Sequence, residues 1–137
     1  MAADKVEFEL VSPERLLLSE QVDMVVVPGA EGDFGVLPRH APLISTLRPG
    51  VIRVFERREV KDRIFVAGGF AEVTSERCTV LAEEAVPVGD IDAAAVEQQL
   101  KDLGEDLADA KTDEEKAAIA RRIAVRQAMR AAAASGA

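Results

Sequence analysis

Apolar and polar residues alternate along the first part of the chain, then change period. Val6, Phe8 and Leu10 interleave with Glu7 and Glu9, a period of two that gives a strand one buried face. Val22, Met24 and Val26 repeat the pattern up to Pro28-Gly29. Further runs follow at Leu43–Leu47, Val51–Phe55, Val60–Ala67, Phe70–Thr74 and Cys78–Ala82. Turn signals separate them: Pro28-Gly29, Pro49-Gly50, Gly68-Gly69 and Ser75-Glu76-Arg77. Short strands at this spacing predict an antiparallel sandwich or barrel over residues 1–87. The connections are too short for helical crossovers, so a parallel sheet is not expected.

Beyond Val88 the period becomes helical. Val96, Leu100, Leu103 and Leu107 follow i, i+4, i+7, i+11 on one face. Asp92 is placed to cap this helix, with Ala93–Ala95 opening it. Gly104 inside it costs about 1 kcal/mol relative to Ala. Lys111–Glu115 reads as a break, and Thr112 with Glu115 fits a capping box that starts a second helix near Asp113. That helix carries Ile119, Ile123 and Met129 and is expected to fray over Ala131–Ala137. The short joint predicts an antiparallel two-helix hairpin over 88–137. Apart from Ile119, Ile123, Val125 and Met129 the second helix is mostly Ala. Such a hairpin buries little apolar area against its ordering entropy, which makes it the expected mobile element.

Charge sharpens the division between the two helices. Asp90–Glu115 carries 10 acidic and 2 basic residues, and Lys116–Ala137 carries 5 basic and no acidic ones. One reading is that opposite charge helps the helices lie side by side. The other is that the stripe Arg122, Arg126, Arg130, one turn apart, can leave and meet an acidic partner.

Composition excludes several function classes. The 137 residues are 48% apolar and 31% charged, which suits a globular protein with a real core. A net charge of −8 opposes binding to nucleic-acid phosphates, and there is no Trp or Tyr to stack on bases. Cys78 and His40 are the only thiol and imidazole, so neither an internal disulfide nor a two-His metal site is expected. No apolar run approaches the roughly 20 residues of a membrane-spanning helix. The opening Met1–Lys5 lacks the basic and apolar regions of a secretory leader and is unlike a transit peptide.

Catalytic patterns are missing as well. Cys78 lies in a strand, in phase with Val80 and Ala82, the place of a small buried hydrophobe. There is no Gly-x-Ser-x-Gly elbow, no EF-hand loop and no His-Glu-x-x-His. The glycine-rich stretch Pro28–Gly35, PGAEGDFG, lacks the Gly-Lys-Ser/Thr of a phosphate loop. It reads as a tight loop between strands, with Glu31, Asp33 and Phe34 open to recognition. His40, between Pro38 and Pro42, reads as a hydrogen-bonded structural residue.

The stretch Pro28–Arg53, PGAEGDFGVLPRHAPLISTLRPGVIR, closely resembles the epsilon subunit family of F-type ATP synthases. The matching positions are Gly35, Val36, Pro38, His40, Pro42, Leu43, Leu47, Gly50 and Arg53. A second block fits too: Gly68-Gly69-Phe70, Glu72-Val73 and Thr79–Glu83. The resemblance spans nearly the whole sequence, with little specificity in the helices. It implies a non-catalytic rotor subunit without cofactor or metal: a β-sandwich of about ten strands at the foot of the central stalk, then the two-helix hairpin. The implied partners are the gamma subunit and the c-ring, with the beta subunit meeting the extended hairpin and braking ATP hydrolysis. Membrane association would come only through the complex, peripherally on the cytoplasmic face of a bacterial inner membrane. By the same resemblance Glu31 and Asp33 belong to the loop facing the c-ring, and His40 lies near the gamma-facing side. Arg122, Arg126 and Arg130 resemble the basic helix that meets beta. Some members bind ATP through Ile/Leu-Asp-x-x-Arg-Ala. Here Ile91-Asp92-Ala93-Ala94 continues with Ala95-Val96, and the arginine that would pair with phosphate is absent. Two other readings stay open on the residues alone: an unrelated small β-sandwich protein-binding module, and an enzyme using carboxylates of the PGAEGDFG loop.

Overall fold

A computed structural model describes residues 5–135. The start at Met1–Asp4 and the end of the expected frayed tail, Gly136-Ala137, lie outside them. The protein divides into two units, Met1–Pro87 and Val88–Ala137.

The first unit contains eight described strands: β1 (Val6–Val11), β2 (Leu16–Val22), β3 (Met24–Gly29), β4 (Gly32–Val36), β5 (Leu43–Thr46), β6 (Gly50–Glu56), β7 (Glu59–Val73) and β8 (Arg77–Pro87). They pair in the order β2-β1-β8-β7-β6-β3-β4, with β5 added beside β7. The hinge of this arrangement is β7. Its first part pairs with β6 up to Val66, and its last part, from Phe70, pairs with β5. Between them stand Gly68 and Gly69, with φ of +73° and +93°. A side chain disfavours this backbone, and an added Cβ at Gly69 would run into the Leu81 carbonyl. The glycine pair therefore kinks one strand and hands it from one partner to another, so that the sheet folds back on itself. Inward residues of both halves then meet in one core, including Phe8, Leu10, Val25, Ile52, Val54, Val73 and Val80.

Several expectations are revised by this topology. Gly68-Gly69 does not end a strand: β7 runs through it and β8 pairs along both of its parts. Eight strands are described; β7 and β8 each span two parts, and counted by those parts they agree with the expected number of about ten. Pairing is antiparallel with one exception among the described strands, β1 beside β8 in parallel. These two strands are far apart in sequence, and the intervening strands serve as the crossover. The stretch Pro28–Gly35 is no loop but most of a hairpin, β3 and β4 closed by Ala30-Glu31. Its glycines hid the strand, because they leave gaps in the period-two pattern.

In the second unit a 3₁₀ turn at Val88–Asp90 leads to α1 (Ala93–Asp109) and α2 (Asp113–Ser135). Asp92 caps α1 by accepting from the Ala95 N–H at 3.1 Å. Thr112 caps α2: its Oγ1 accepts from the Glu115 N–H at 3.1 Å and donates to Glu115 Oε1 at 3.2 Å. The break is shorter than Lys111–Glu115, since α2 already begins at Asp113. Leu100, Leu103, Leu107, Ile119 and Ile123 are only half-buried.

Candidate functional site

The six candidate residues fall in three places. Glu31 and Asp33 share the β3–β4 hairpin, His40 sits in a turn after β4, and the three arginines lie on α2.

Glu31 stands exposed in the two-residue turn of the hairpin. The segment Thr46–Arg48 binds this turn by backbone. The Ala30 N–H donates to Thr46 O at 2.9 Å, and the Arg48 N–H donates to Pro28 O at 3.0 Å. The Arg48 side chain adds a fork. Nη1 donates to Gly29 O at 2.7 Å, on β3, and Nη2 pairs with Asp33 Oδ1, on β4. Arg53 approaches the other oxygen, Asp33 Oδ2, at 3.7 Å. Asp33 is therefore an internal counter-ion, not the loose loop-tip carboxylate that the sequence suggested. Glu31 is the tip carboxylate. Arg48 escaped the sequence reading because nothing near it in sequence marks a partner 15 residues away.

His40 belongs to a turn in which its N–H donates to Leu37 O at 3.1 Å. Its Nδ1 lies 2.6 Å from the oxygen of Ala41, the geometry of an N–H donor to a carbonyl. The neighbouring Arg39 has φ of +66°, and its N–H donates to Ser75 O at 2.9 Å. The imidazole thus holds its own loop.

On α2, Arg130 Nη1 pairs with Glu97 Oε1 of α1 at 3.1 Å. Arg126 is half-buried and lies against Met129 Sδ at 3.7 Å. Arg122 is exposed. The two readings of the stripe thus share it: Arg130 ties the helices together, and Arg122 faces solvent.

Cys78 is fully buried, and burial pushes its thiol up to about 12. It stays protonated at neutral pH and is no nucleophile. Among the described residues no cluster of three or more His, Cys, Asp or Glu could hold a metal ion. No described helix is long and apolar enough to cross a membrane.

An outward apolar row is the feature the sequence reading missed. Phe70 of β7 lies opposite Leu81 of β8, Leu81 opposite Val11 of β1, and Val11 opposite Leu16 of β2. Opposed residues share a face, so these side chains cross four strands together. Leu16, Phe70 and Leu81 are 56%, 40% and 38% exposed, and Ile44 on neighbouring β5 is 69% exposed. A signal was present in Phe70-Ala71 and Val80-Leu81-Ala82, which are apolar in both phases of the strand. A soluble strand facing water has no need of the second phase.

Comparison with known proteins fits these observations. Residues 5–88 match the family model of the beta-sandwich domain of the ATP synthase delta/epsilon chain. Residues 92–137 match that of the C-terminal domain of the ATP synthase epsilon chain. The ATP synthase epsilon chain of Paramagnetospirillum magneticum is 58% identical over 95% of this sequence and 98% of its own length. That of Rhodospirillum rubrum is 55% identical over 95% and 97%. In fold the protein is similar to a subunit of the Euglena gracilis mitochondrial ATP synthase assembly of OSCP, F1 and c-ring. The TM-score is 0.80 at 23% identity, over 94% of this sequence and 81% of that one. It is also similar to a subunit of the Tetrahymena thermophila mitochondrial ATP synthase central stalk and c-ring, with TM-score 0.72 at 18% identity, over 94% and 96%.

Proposed function

The chain belongs to the ATP synthase epsilon family, and from that premise we propose that it is a non-catalytic subunit of the rotor, joining the c-ring to the gamma subunit. Family membership removes the reading as an unrelated binding module. On this reading the carboxylates of Pro28–Gly35 carry no reaction.

The observation that carries the partner assignment is the apolar row Leu16, Val11, Leu81, Phe70 with Ile44 beside it. Side chains of this size, exposed together across a sheet, lose free energy to water until a partner covers them. We assign this face to gamma. The hairpin tip at Glu31 is assigned to the polar loops of the c-ring, because it offers a charged group on a short, well-tied turn. His40 shapes the loop near the gamma-facing side. The protein then needs no cofactor, binds no nucleic acid, and lies peripherally at the cytoplasmic face of a bacterial inner membrane through the complex. The second unit is assigned a regulatory role: α2 extends toward the beta subunit and presents Arg122 and Arg126, after the Arg130–Glu97 pair has opened. That pair is exposed and is worth at most about 1 kcal/mol, so it biases the closed state without locking it.

Copurification tests the gamma assignment. Phe70→Asp and Leu81→Asp change exposed positions and should leave the melting temperature within a few degrees. Each should abolish or strongly weaken copurification with gamma. Undiminished capture of gamma by both variants refutes the assignment. For the regulatory unit, a truncation ending near Val88 should raise ATP hydrolysis by the assembled enzyme, and unchanged hydrolysis refutes the brake.

A further inference from the structure

We propose that Arg48 is a positioning residue that fixes the Glu31 tip for its contact. The coupling half of this inference rests on the assignment of Glu31 to the c-ring. A two-residue turn at the end of two short strands, β3 and β4, would by itself flex about its last paired residues. Here that motion is blocked from outside the hairpin. Three consecutive residues, Thr46–Arg48, lie against the base of the turn, with an isolated bridge between Gly29 and Leu47. The backbone contacts of this segment with the hairpin fall on Pro28, Gly29 and Ala30, which belong to β3 and the turn. The Arg48 guanidinium also reaches the far arm. It holds Gly29 O of β3 and the Asp33 carboxylate of β4 at once, so that the two arms cannot splay or twist independently. A planar fork with donors in fixed directions suits this double attachment, and an ammonium does not.

The charge pattern agrees. Arg48 and Arg53 both address Asp33, so they neutralise the carboxylate at the base and leave the one at the tip. Glu31 is then the negative group of the hairpin that remains for a partner, held on a stiffened base. A contact that must transmit torque gains from such stiffness, because a slack tip would absorb displacement before passing it on.

Two measurements test the inference. The first is amide exchange on the full-length protein, comparing wild type, Arg48→Ala and Arg48→Lys at Ala30, Glu31 and Gly32. Arg48→Ala should speed exchange at these amides about five- to tenfold, the loss of one charge-assisted fork, and leave Val25 and Val54 unmoved. Arg48→Lys should restore only part, since one ammonium cannot hold both arms. Unchanged tip exchange in Arg48→Ala, or equal acceleration at Val54, overturns the clamp. The second is a double-mutant cycle in the assembled enzyme, reading protons pumped per ATP hydrolysed for Glu31→Ala, Arg48→Ala and the pair. If Arg48 acts through Glu31, the double variant is no worse than the poorer single one. Losses that multiply, or an Arg48→Ala enzyme that couples fully, overturn the positioning role. Full coupling by Glu31→Ala instead removes the c-ring assignment and with it the coupling half, whereas the exchange experiment judges the clamp without reference to the ring.

Discussion

The sandwich, rich in Val and Phe, and the helical hairpin, rich in Ala, are held in opposite ways. In the sandwich, Phe8, Val22, Val25, Ile52, Val54, Phe65 and Val80 have no exposed surface. They come from strands that consecutive hairpins join and that the pairings of β1 with β8, β3 with β6 and β5 with β7 tie across the sequence, so burial of these residues helps fix the long-range pairing. Among the described residues of the hairpin, the buried apolar ones are Val88, Val96, Met129 and Ala132. Two short-range features organise its helices, a cap at Asp92 and a capping box at Thr112 and Glu115, and an exposed ion pair links α1 to α2. Non-local burial gives one cooperative structure that opens all at once, and local capping gives helices that can form and come apart by themselves. The role proposed above, a rotor subunit with a rigid coupling part and a switching part, calls for both.

Glycine gives the largest test of this contrast. Gly69→Ala forces a side chain into a left-handed backbone and against the Leu81 carbonyl, at the kink that lets β7 serve both β6 and β5. The expected cost is about 3 kcal/mol or more. That should lower the sandwich melting temperature by roughly ten degrees or more. Chemical denaturation followed at the sandwich amides measures it. A variant as stable as the wild type would mean that the kink is not what closes the sheet.

This same kink marks where sequence reading stopped. A pair of glycines between two apolar runs reads as a turn, because a kinked strand and a turn both require positive φ. Only the partner strands, absent from any local window, distinguish them. The turn Arg57-Arg58 between β6 and β7 was invisible for the converse reason. Both arginines adopt positive φ, 53° and 69°, where glycine or asparagine would have announced it. By contrast, Asp92 and Thr112 were legible as caps because a cap is a relation between residues three apart. Among the candidate site residues, Glu31 was legible as an exposed acid, while the pairing of Asp33 with Arg48 was not. The outward row from Leu16 to Phe70 was spelled out in the sequence, but which of two apolar phases faces water depends on the fold.

Capping gives the next test, in the other region. Thr112→Ala removes the acceptor for the Glu115 N–H and should cost α2 about 1 kcal/mol. Amide exchange in the first turns of α2 should speed while the β7 and β8 amides keep their rates. Equal acceleration in both units would show that they open together and that the hairpin is not locally held.

The second glycine test has the opposite sign. Gly104 lies inside α1, and a Cβ there would meet nothing within 4 Å. Gly104→Ala should therefore stabilise the helix by about 0.5–1 kcal/mol. Helicity and exchange protection of α1 are the readouts. In the assembled enzyme, a firmer closed hairpin should also raise ATP hydrolysis slightly if extension brakes it. A destabilised α1 would mean that this face is covered in a way the open space around Gly104 does not suggest.

Acid should loosen the sandwich by the smallest margin, without touching its core. Asp23, between β2 and β3, accepts from Lys5 Nζ at 2.6 Å and from the Arg57 N–H at 2.7 Å, and Lys5 also reaches Glu56 Oε1 at 3.2 Å. This cluster ties the entry of β1 to the β6–β7 turn. The Lys5 hydrogen bond, then the Arg57 N–H, holds the Asp23 carboxyl below its usual value of 3.8. Its contribution is present above that value and is lost as pH falls through the lower folded one. The Asp23 and Glu56 hydrogen bonds raise Lys5 above 10.5, so its contribution holds below that pH and is lost as pH rises through the folded value. Between about pH 5 and 9 both persist, and the difference in melting temperature between wild type and Asp23→Asn should be constant. As pH falls below about 4 the difference should begin to shrink, and it should close once pH has passed the lower folded value, where the wild-type carboxyl is neutral like the amide. The groups are exposed, so water screens them, and added salt should shrink the plateau as well. A difference that survives unchanged at about pH 2 would mean that the loss in Asp23→Asn comes from the geometry of the hydrogen bonds to Lys5 and Arg57, and that charge plays no part in holding β1 to the turn.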